Sequence, residues 1–323
     1  MKSRGAGLVS IIIPCYNAER WVAEAIQSCL HQTHKQLEII VVDDGSRDKS
    51  LEVMRRFESQ SVKIVSQENR GNGAARNRGL EEAQGDFIQY LDADDLLEAN
   101  KIEIQIRRLI NEPNCIASGV WGRFYQSVKD VVFKPASIYR DLSPVDWLIA
   151  DGMMASHAWL VPRPVVDEAG DWNETLLCNV DGEYFARVVL KSSRVLFCPE
   201  ARVYYRSGIF GSVSGRIHTP QGIESVFHSY ERWARHLQNV EDSPRTRLAA
   251  AKKFQQFAYM AYPLRLDLVR LAEAKVASLG GCEYQLREGA LFNVVSDVLG
   301  WKASKRVQRV FRAFRRRFMP YPD

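Results

Sequence analysis

Phe87-Ile88-Gln89-Tyr90-Leu91-Asp92-Ala93-Asp94-Asp95 is the stretch whose reading decides the fold. A short apolar run leads straight into three carboxylates within four positions. Crowded like charges at a strand end are costly unless a cation or hydrogen-bond donors share the site. Two acids at i and i+2 suit a hard divalent ion that also takes phosphate oxygens as ligands. The same residues would equally suit a solvated turn before a helix, because Asp is a good N-cap.

What precedes this stretch decides between the two. Leu8 to Pro14 is a continuous apolar run, read as a strand buried on both faces. Val22, Ile26, Cys29 and Leu30 then recur at helical spacing. Leu37 to Val42 is a second buried strand and runs into Asp43-Asp44-Gly45-Ser46. Asp48 opens a helix to about Ser59, and Val62 to Val65 is a third strand. The loop Asn69-Arg70-Gly71-Asn72-Gly73 leads into a helix from Ala74 to about Ala83. Phe87 to Leu91 is the fourth strand, and Leu96 to Ile110 reads as a long helix. Alternating strands and helices indicate an α/β fold, a mostly parallel sheet flanked by helices. Such sheets bind ligands beyond the carboxyl ends of their strands. Pro14 to Asn17, Asp43 to Ser46, the 69–78 loop and Asp92 to Asp95 all fall on that edge.

Composition sets the limits. The chain has 323 residues, 46% hydrophobic and 26% charged, ample for a sizeable core. Its formal charge of +5 is uneven. Lys302, Lys305, Arg306, Arg309, Arg312, Arg315, Arg316 and Arg317 have no acid between them, which leaves the rest mildly acidic. Six cysteines without a C-x-x-C pair argue against a disulfide framework or zinc site. Pro14 and Asn17 interrupt any signal-like apolar region, and no stretch is long and apolar enough to span a membrane. A cytoplasmic location is expected, with the tail to be explained separately. Gly71-Asn72-Gly73-Ala74-Ala75-Arg76 resembles a dinucleotide fingerprint, but it follows the third strand and ends in Arg, which argues against a Rossmann dehydrogenase.

Beyond Ile110 the pattern weakens. Cys115 to Phe124 and Val128 to Phe133 read as antiparallel strands, and Ala158 to Val161 as a short one. Pro162 to Ala169 and Asp181 to Leu190 read as helices. Val195 to Cys198 and Val203 to Tyr205 read as two further strands.

Val9-Ser10-Ile11-Ile12-Ile13-Pro14-Cys15-Tyr16-Asn17, Val42-Asp43-Asp44-Gly45-Ser46, Ala75-Arg76-Asn77-Arg78-Gly79 and Leu91-Asp92-Ala93-Asp94-Asp95, in that order, resemble the family 2 inverting glycosyltransferases of GT-A fold. The resemblance covers roughly residues 7 to 215. It implies a catalytic domain over 1–220 and a nucleotide-sugar donor, most often a UDP-sugar. It also implies Mg2+ or Mn2+; the acceptor is expected to be a hydroxyl of a glycan, lipid-linked or other molecule, and it is the basic tail that a lipid-linked or polysaccharide acceptor would suit. By the same resemblance Pro14, Tyr16 and Asn17 flank the nucleotide, Asp44 reaches its base and Arg76 lies near it. Asp92 and Asp94 form the Asp-x-Asp motif and hold the metal, with Asp95 a third acid.

The family's general base implies Asp181, in register with Arg187 at a helix start. Here the chain departs from the pattern, because Val180 stands where Glu is usual and Glu183 becomes a rival. Trp172 would lie beside the acceptor or serve as a core residue. Val180 also leaves open a nucleotide-sugar-binding protein or inactive homologue without turnover. A sugar-phosphate nucleotidyltransferase would need a different glycine-rich loop after the first strand.

Residues 221–323 read as a helical extension without a catalytic signature. Val307, Val310, Phe311, Phe314 and Phe318 share one helical face, with basic residues around them. Residues 302–318 thus read as a basic amphipathic helix, suited to an anionic membrane surface or to packing on the body. No nucleic-acid motif accompanies the charge.

Overall fold

The computed structural model describes residues 7–133, 138–150, 152–209, 213–284 and 289–307. Its first half alternates as expected: β1 (Val9–Cys15), α1 (Val22–Leu30), β2 (Leu37–Asp43), α2 (Ser50–Arg55), β3 (Val62–Ser66), α3 (Asn72–Glu82) and β4 (Phe87–Tyr90). There follow β5 (Leu96–Leu97), α4 (Lys101–Leu109), β6 (Ile116–Phe124), β7 (Val132–Phe133), α5 (Pro144–Ile149), β8 (Val161–Pro162), α6 (Arg163–Ala169), α7 (Val180–Lys191) and β9 (Val195–Arg206). The extension holds α8 (Pro220–Val240), α9 (Pro244–Ala261), α10 (Leu266–Ser278) and α11 (Gly289–Leu299).

The main sheet runs β3-β2-β1-β4-β8, parallel except for the edge strand β8. Every residue of β1 is buried because both faces are covered. Val9, Ile11 and Ile13 pack with α1 residues Val22 and Ile26, while Ile12 faces the opposite core with Ile88 and Tyr90. Side-chain alternation along one strand thus feeds two cores.

A second sheet, β5-β9-β6-β7, extends the fold. β6 and β7 are antiparallel, as expected, but β6 pairs with β9 in parallel. The two segments expected at 195–198 and 203–205 are one strand; exposed Pro199 and Glu200 lie opposite the register shift between Ser118 and Val120. The long helix expected from Leu96 begins only at Lys101. Leu96 and Leu97 instead pair with Tyr204 and Val203, an apolar pair whose strand partner lies more than a hundred residues away.

The extension does not sit apart from the α/β half. Ile223, Val226, Phe227, Phe254 and Phe257 share one core cluster with Tyr184, Phe185 and Val188 of α7. No helix among the described residues is long and apolar enough to cross a membrane. Residues 308–323, most of the expected amphipathic helix, lie outside the described residues.

Gly79 shows how closely α3 lies on the sheet. A Cβ there would collide with Ile12 Cγ2 and stand 3.4 Å from Val42 Cγ2. Both neighbours are β-branched and fully buried, so neither has room to yield. Gly79→Ala is expected to cost about 1–3 kcal/mol through overpacking. Denaturant unfolding with an unchanged slope and an earlier midpoint is the measurement.

Candidate active site

The two carboxylates that end β2 divide their work. Asp43 Oδ1 accepts from Ser46 N at 3.2 Å, a turn contact. Asp44 is buried and ties down the loop before α3. Its Oδ1 accepts from Gln67 Nε2 at 2.8 Å and Arg70 N at 2.9 Å, and its Oδ2 from Gly71 N at 2.8 Å. Three donors leave one oxygen with spare acceptor capacity. Pro14 lies inside β1 opposite Val42, whereas Tyr16 is 41% exposed on the rim. Asn17 adopts a left-handed φ of 51°, and its Oδ1 accepts from Arg47 N at 2.8 Å.

Arg76 is carried by the first turns of α3 and is buried. Its Nη2 donates to Asp92 Oδ1 at 2.6 Å, and its guanidinium lies 4.2 Å from the Trp172 ring centroid. Arg76 Nε is buried without a hydrogen-bond partner. Trp172 is itself a core residue, stacked on Tyr184 at 3.8 Å and edge-on to Tyr90 at 4.9 Å. Asn77, next to Arg76, holds the strand of chain at Trp172 by accepting from Trp172 N at 2.7 Å and donating to Trp172 O at 3.0 Å.

The remaining acids of the cluster are gripped from the second sheet. Burial, and then the neighbouring charge of Asp92, pushes the Asp94 carboxyl up to about 6. Asp95 is fully buried and pushed well above the usual carboxylate range by burial, Asp94 and Asp92. Arg206, the last residue of β9, donates its backbone N to Asp95 Oδ1 at 2.7 Å and its Nε to Asp94 O at 2.9 Å. It also donates Nη2 to Glu24 at 2.6 Å and lies between the rings of Trp21 and Phe124 at 4.3 and 4.5 Å. His157 Nδ1 stands 3.2 Å from Asp95 Oδ2, close but out of line for a hydrogen bond. Burial lowers the His157 pKa to about 3, so its ring is neutral. The sequence offered little to find Arg206 or His157: one is an arginine ending a strand, the other a histidine in an irregular segment.

Asp181 sits in the first turn of α7, half-buried. Burial raises its pKa, Arg76 draws it down and Asp92 pushes it up again. Three residues far apart in sequence therefore share one electrostatic neighbourhood. Glu183, its rival, has a different occupation. Its carboxylate is buried and receives Arg187 Nε and Nη2, both at 2.9 Å, with His236 Nε2 at 3.3 Å. Burial acts to raise its pKa, but the His236 and Arg187 hydrogen bonds prevail and hold it below the usual range. Arg187 goes on to the carbonyls of Ala169, Gly170 and Asp171. Glu183 thus braces the turn that presents Trp172.

A divalent ion fits the chemistry of Asp92 and Asp94. Asp94 is a carboxylate short of positive charge, beside a second acid of which one oxygen already serves Arg76. No group of three or more His, Cys, Asp or Glu among the described residues could hold a metal. Any ion here would therefore draw its other ligands from phosphate oxygens and water, as Mg2+ commonly does.

Comparison with known proteins places this rim in a wider setting. Residues 10–169 match the family model described as Glycosyl transferase family 2. A Haemophilus influenzae protein named only as an uncharacterized glycosyltransferase is 44% identical over 106 residues, 32% of this chain and 42% of that one. The matched stretch spans less than half the length of such curated relatives. Among solved structures, S. aureus TarS 1–349 with UDP-GlcNAc is similar at TM-score 0.62 and 16% identity, covering 87% of this chain and 97% of TarS 1–349. The mannosyltransferase PcManGT of Pyrobaculum calidifontis, with GDP-Man and Mn2+, is similar at TM-score 0.56 and 16% identity, covering 98% and 89%. At that identity the structural likeness concerns the fold.

Glu183→Ala is expected to destabilise the protein by about 1–3 kcal/mol, because the partly covered Arg187 loses its carboxylate partner and keeps only the backbone carbonyls of the 169–171 turn. The midpoint of denaturant unfolding checks this; an unchanged midpoint would remove Glu183 from its structural role.

Proposed function

We propose that this chain, a member of glycosyl transferase family 2 through residues 10–169, moves a sugar from a nucleoside-diphosphate donor, a UDP-sugar in the first instance, to a hydroxyl of a glycan or lipid-linked acceptor, with inversion at the anomeric carbon. The observation that carries the reading is the convergence of Asp181 with Arg76 and Asp92 on one rim. The donor class is supported by the nucleotide-sugars bound in TarS and PcManGT, and the use of a divalent ion by the Mn2+ in the latter.

The chemistry divides between two groups of acids. An acceptor hydroxyl is a poor nucleophile until a carboxylate within reach takes its proton. Asp181 does this as the new C–O bond forms and the bond to the diphosphate oxygen breaks. The diphosphate leaves with the electron pair from the face opposite attack, and Asp181 passes its proton to water. The raised pKa of Asp181 makes it a stronger base than an ordinary carboxylate. Asp92 and Asp94 would hold Mg2+ or Mn2+, whose contribution when bound is to neutralise charge on the departing diphosphate. Arg76 orients Asp92 and keeps a positive charge under the same region. Pro14, Tyr16, Asn17 and Asp44 shape the nucleotide end of the rim.

Asp181→Asn is expected to lower kcat by about 10²–10⁴-fold, with donor affinity nearly intact. A general base works only when deprotonated, so wild-type kcat falls as pH drops through the raised Asp181 pKa, above the ordinary carboxylate range. Asp94→Ala should instead weaken nucleotide binding in the presence of Mn2+. Full turnover in the first variant, or unchanged calorimetric affinity in the second, would sink the respective assignment.

We further assign the basic tail to an anionic membrane surface, with the protein peripheral on the cytoplasmic side. Its charge pattern supports this, and its beginning is anchored on the body through Lys302–Glu273 and the Arg306 bond to Tyr262 Oη. Removing residues 308–323 takes away five arginines. Sedimentation with anionic vesicles should then lose its salt-sensitive binding; equal binding by both forms would reject the assignment.

A further inference from the structure

The turn that delivers Asp181 is held by the helical extension. Leu177, Cys178 and Asn179 lead into α7, and Asn179 takes up a left-handed conformation, φ 55° and ψ 33°. That conformation is uncommon for a residue with a side chain and persists where surroundings hold it. Two serines of α8, four residues apart on one helical face, supply the hold. Ser225 Oγ accepts from Leu177 N at 2.8 Å and from Cys178 N at 2.9 Å, and donates to Cys178 O at 3.0 Å. Ser229 Oγ accepts from Asn179 Nδ2 at 2.7 Å and donates to Asn179 O at 3.0 Å. Both serines are buried, so neither contact is shared with bulk water.

The neighbouring residues continue the arrangement. Asn179 O also accepts the first bond of α7, from Glu183 N at 3.3 Å. The Asn179 side chain lies against Gly182, where a Cβ would stand 2.5 Å from Asn179 Oδ1. His236, eleven residues beyond Ser225 on the same side of α8, reaches Glu183. Apolar packing of Ile223, Val226 and Phe227 sets the approach of α8 to α7, and the directional hydroxyl bonds set the angle of the turn.

We propose that Ser225 and Ser229 are positioning residues for Asp181: α8 clamps the 177–179 turn, so the extension is a working part of the site. The proposal rests on the reading of Asp181 as the base. Catalytic groups act only when held near the productive geometry, and a displacement of about 1 Å can cost roughly 100-fold in rate. Loss of the hydroxyls leaves buried backbone groups of the turn without partners, and the turn relaxes to recover them. Asp181 lies two residues beyond Asn179 and moves with it.

The test uses the full chain with Ser225→Ala, Ser229→Ala and the pair, beside Asp181→Asn. We expect the pair to lower kcat by about 10–100-fold, with calorimetric affinity for UDP and Mn2+ unchanged. If the pair unfolds at the assay temperature, Ser229→Ala gives the same comparison through the Asn179 contacts. Adding Asn179→Ala to Ser229→Ala should lower kcat no further than the worse single variant, because both act through one contact. Wild-type kcat in the serine variants, with Asp181→Asn inactive, overturns the clamp and leaves the base in place. Equal losses in kcat and nucleotide affinity, or full additivity with Asn179→Ala, also overturn it. An active Asp181→Asn overturns the base reading and the clamp's purpose with it.

Discussion

The pairing of buried Arg76 with Asp92 on the face of Trp172 is the interaction on which the rim depends. Asp94, Asp95 and Asp181 each feel the charge of Asp92 at the carboxyl end of the sheet. Burial first, and then the neighbouring like charge, raises the pKa of Asp94, Asp95 and Asp181. Arg76 answers part of that cost at Asp92 and reaches Asp181 electrostatically. A cation buried beside an aromatic face is stabilised by the ring as well as by the carboxylate. The residue therefore ties β4, α3, the Trp172 turn and α7 to one point.

Arg206 performs the corresponding task from the second sheet. It holds Asp94 by its carbonyl and Asp95 by its carboxylate, which fixes the backbone of both acids without engaging the Asp94 carboxylate. Neutral His157 beneath Asp95 adds no competing positive charge. The two sheets and the extension thus meet at the acids from three directions, and the core clusters show the same union in apolar side chains.

Much of this was legible in the chain. Continuous apolar runs ending in Asn17, Asp44 and Asp92 place three strand ends on one edge, because buried parallel strands carry a strong local signal. Gly79 reads as motif in sequence and as helix–sheet contact in space. The start of α4 was not legible, since Leu96-Leu97 looks helical until β9 is available to pair with it. Nor was the parallel pairing of β6 with β9, a contact between segments separated by three helices. Glu183 reads as a rival base because only charge is visible in sequence; its bond to Arg187 is an i,i+4 contact within α7, whereas the bond to His236 comes from α8 and is tertiary.

The sequence by itself determined the strand order's raw material, the acidic strand ends and the register of Asp181 with Arg187. These follow from hydrophobic periodicity and short-range chemistry, which need no distant partner. Only the tertiary structure decided which acids feel one another's charge, which carboxylates are already occupied and what holds the turn before α7. Those properties depend on desolvation and on donors brought from distant segments: Arg206 from β9, Ser225 and Ser229 from α8. No local pattern encodes such distances.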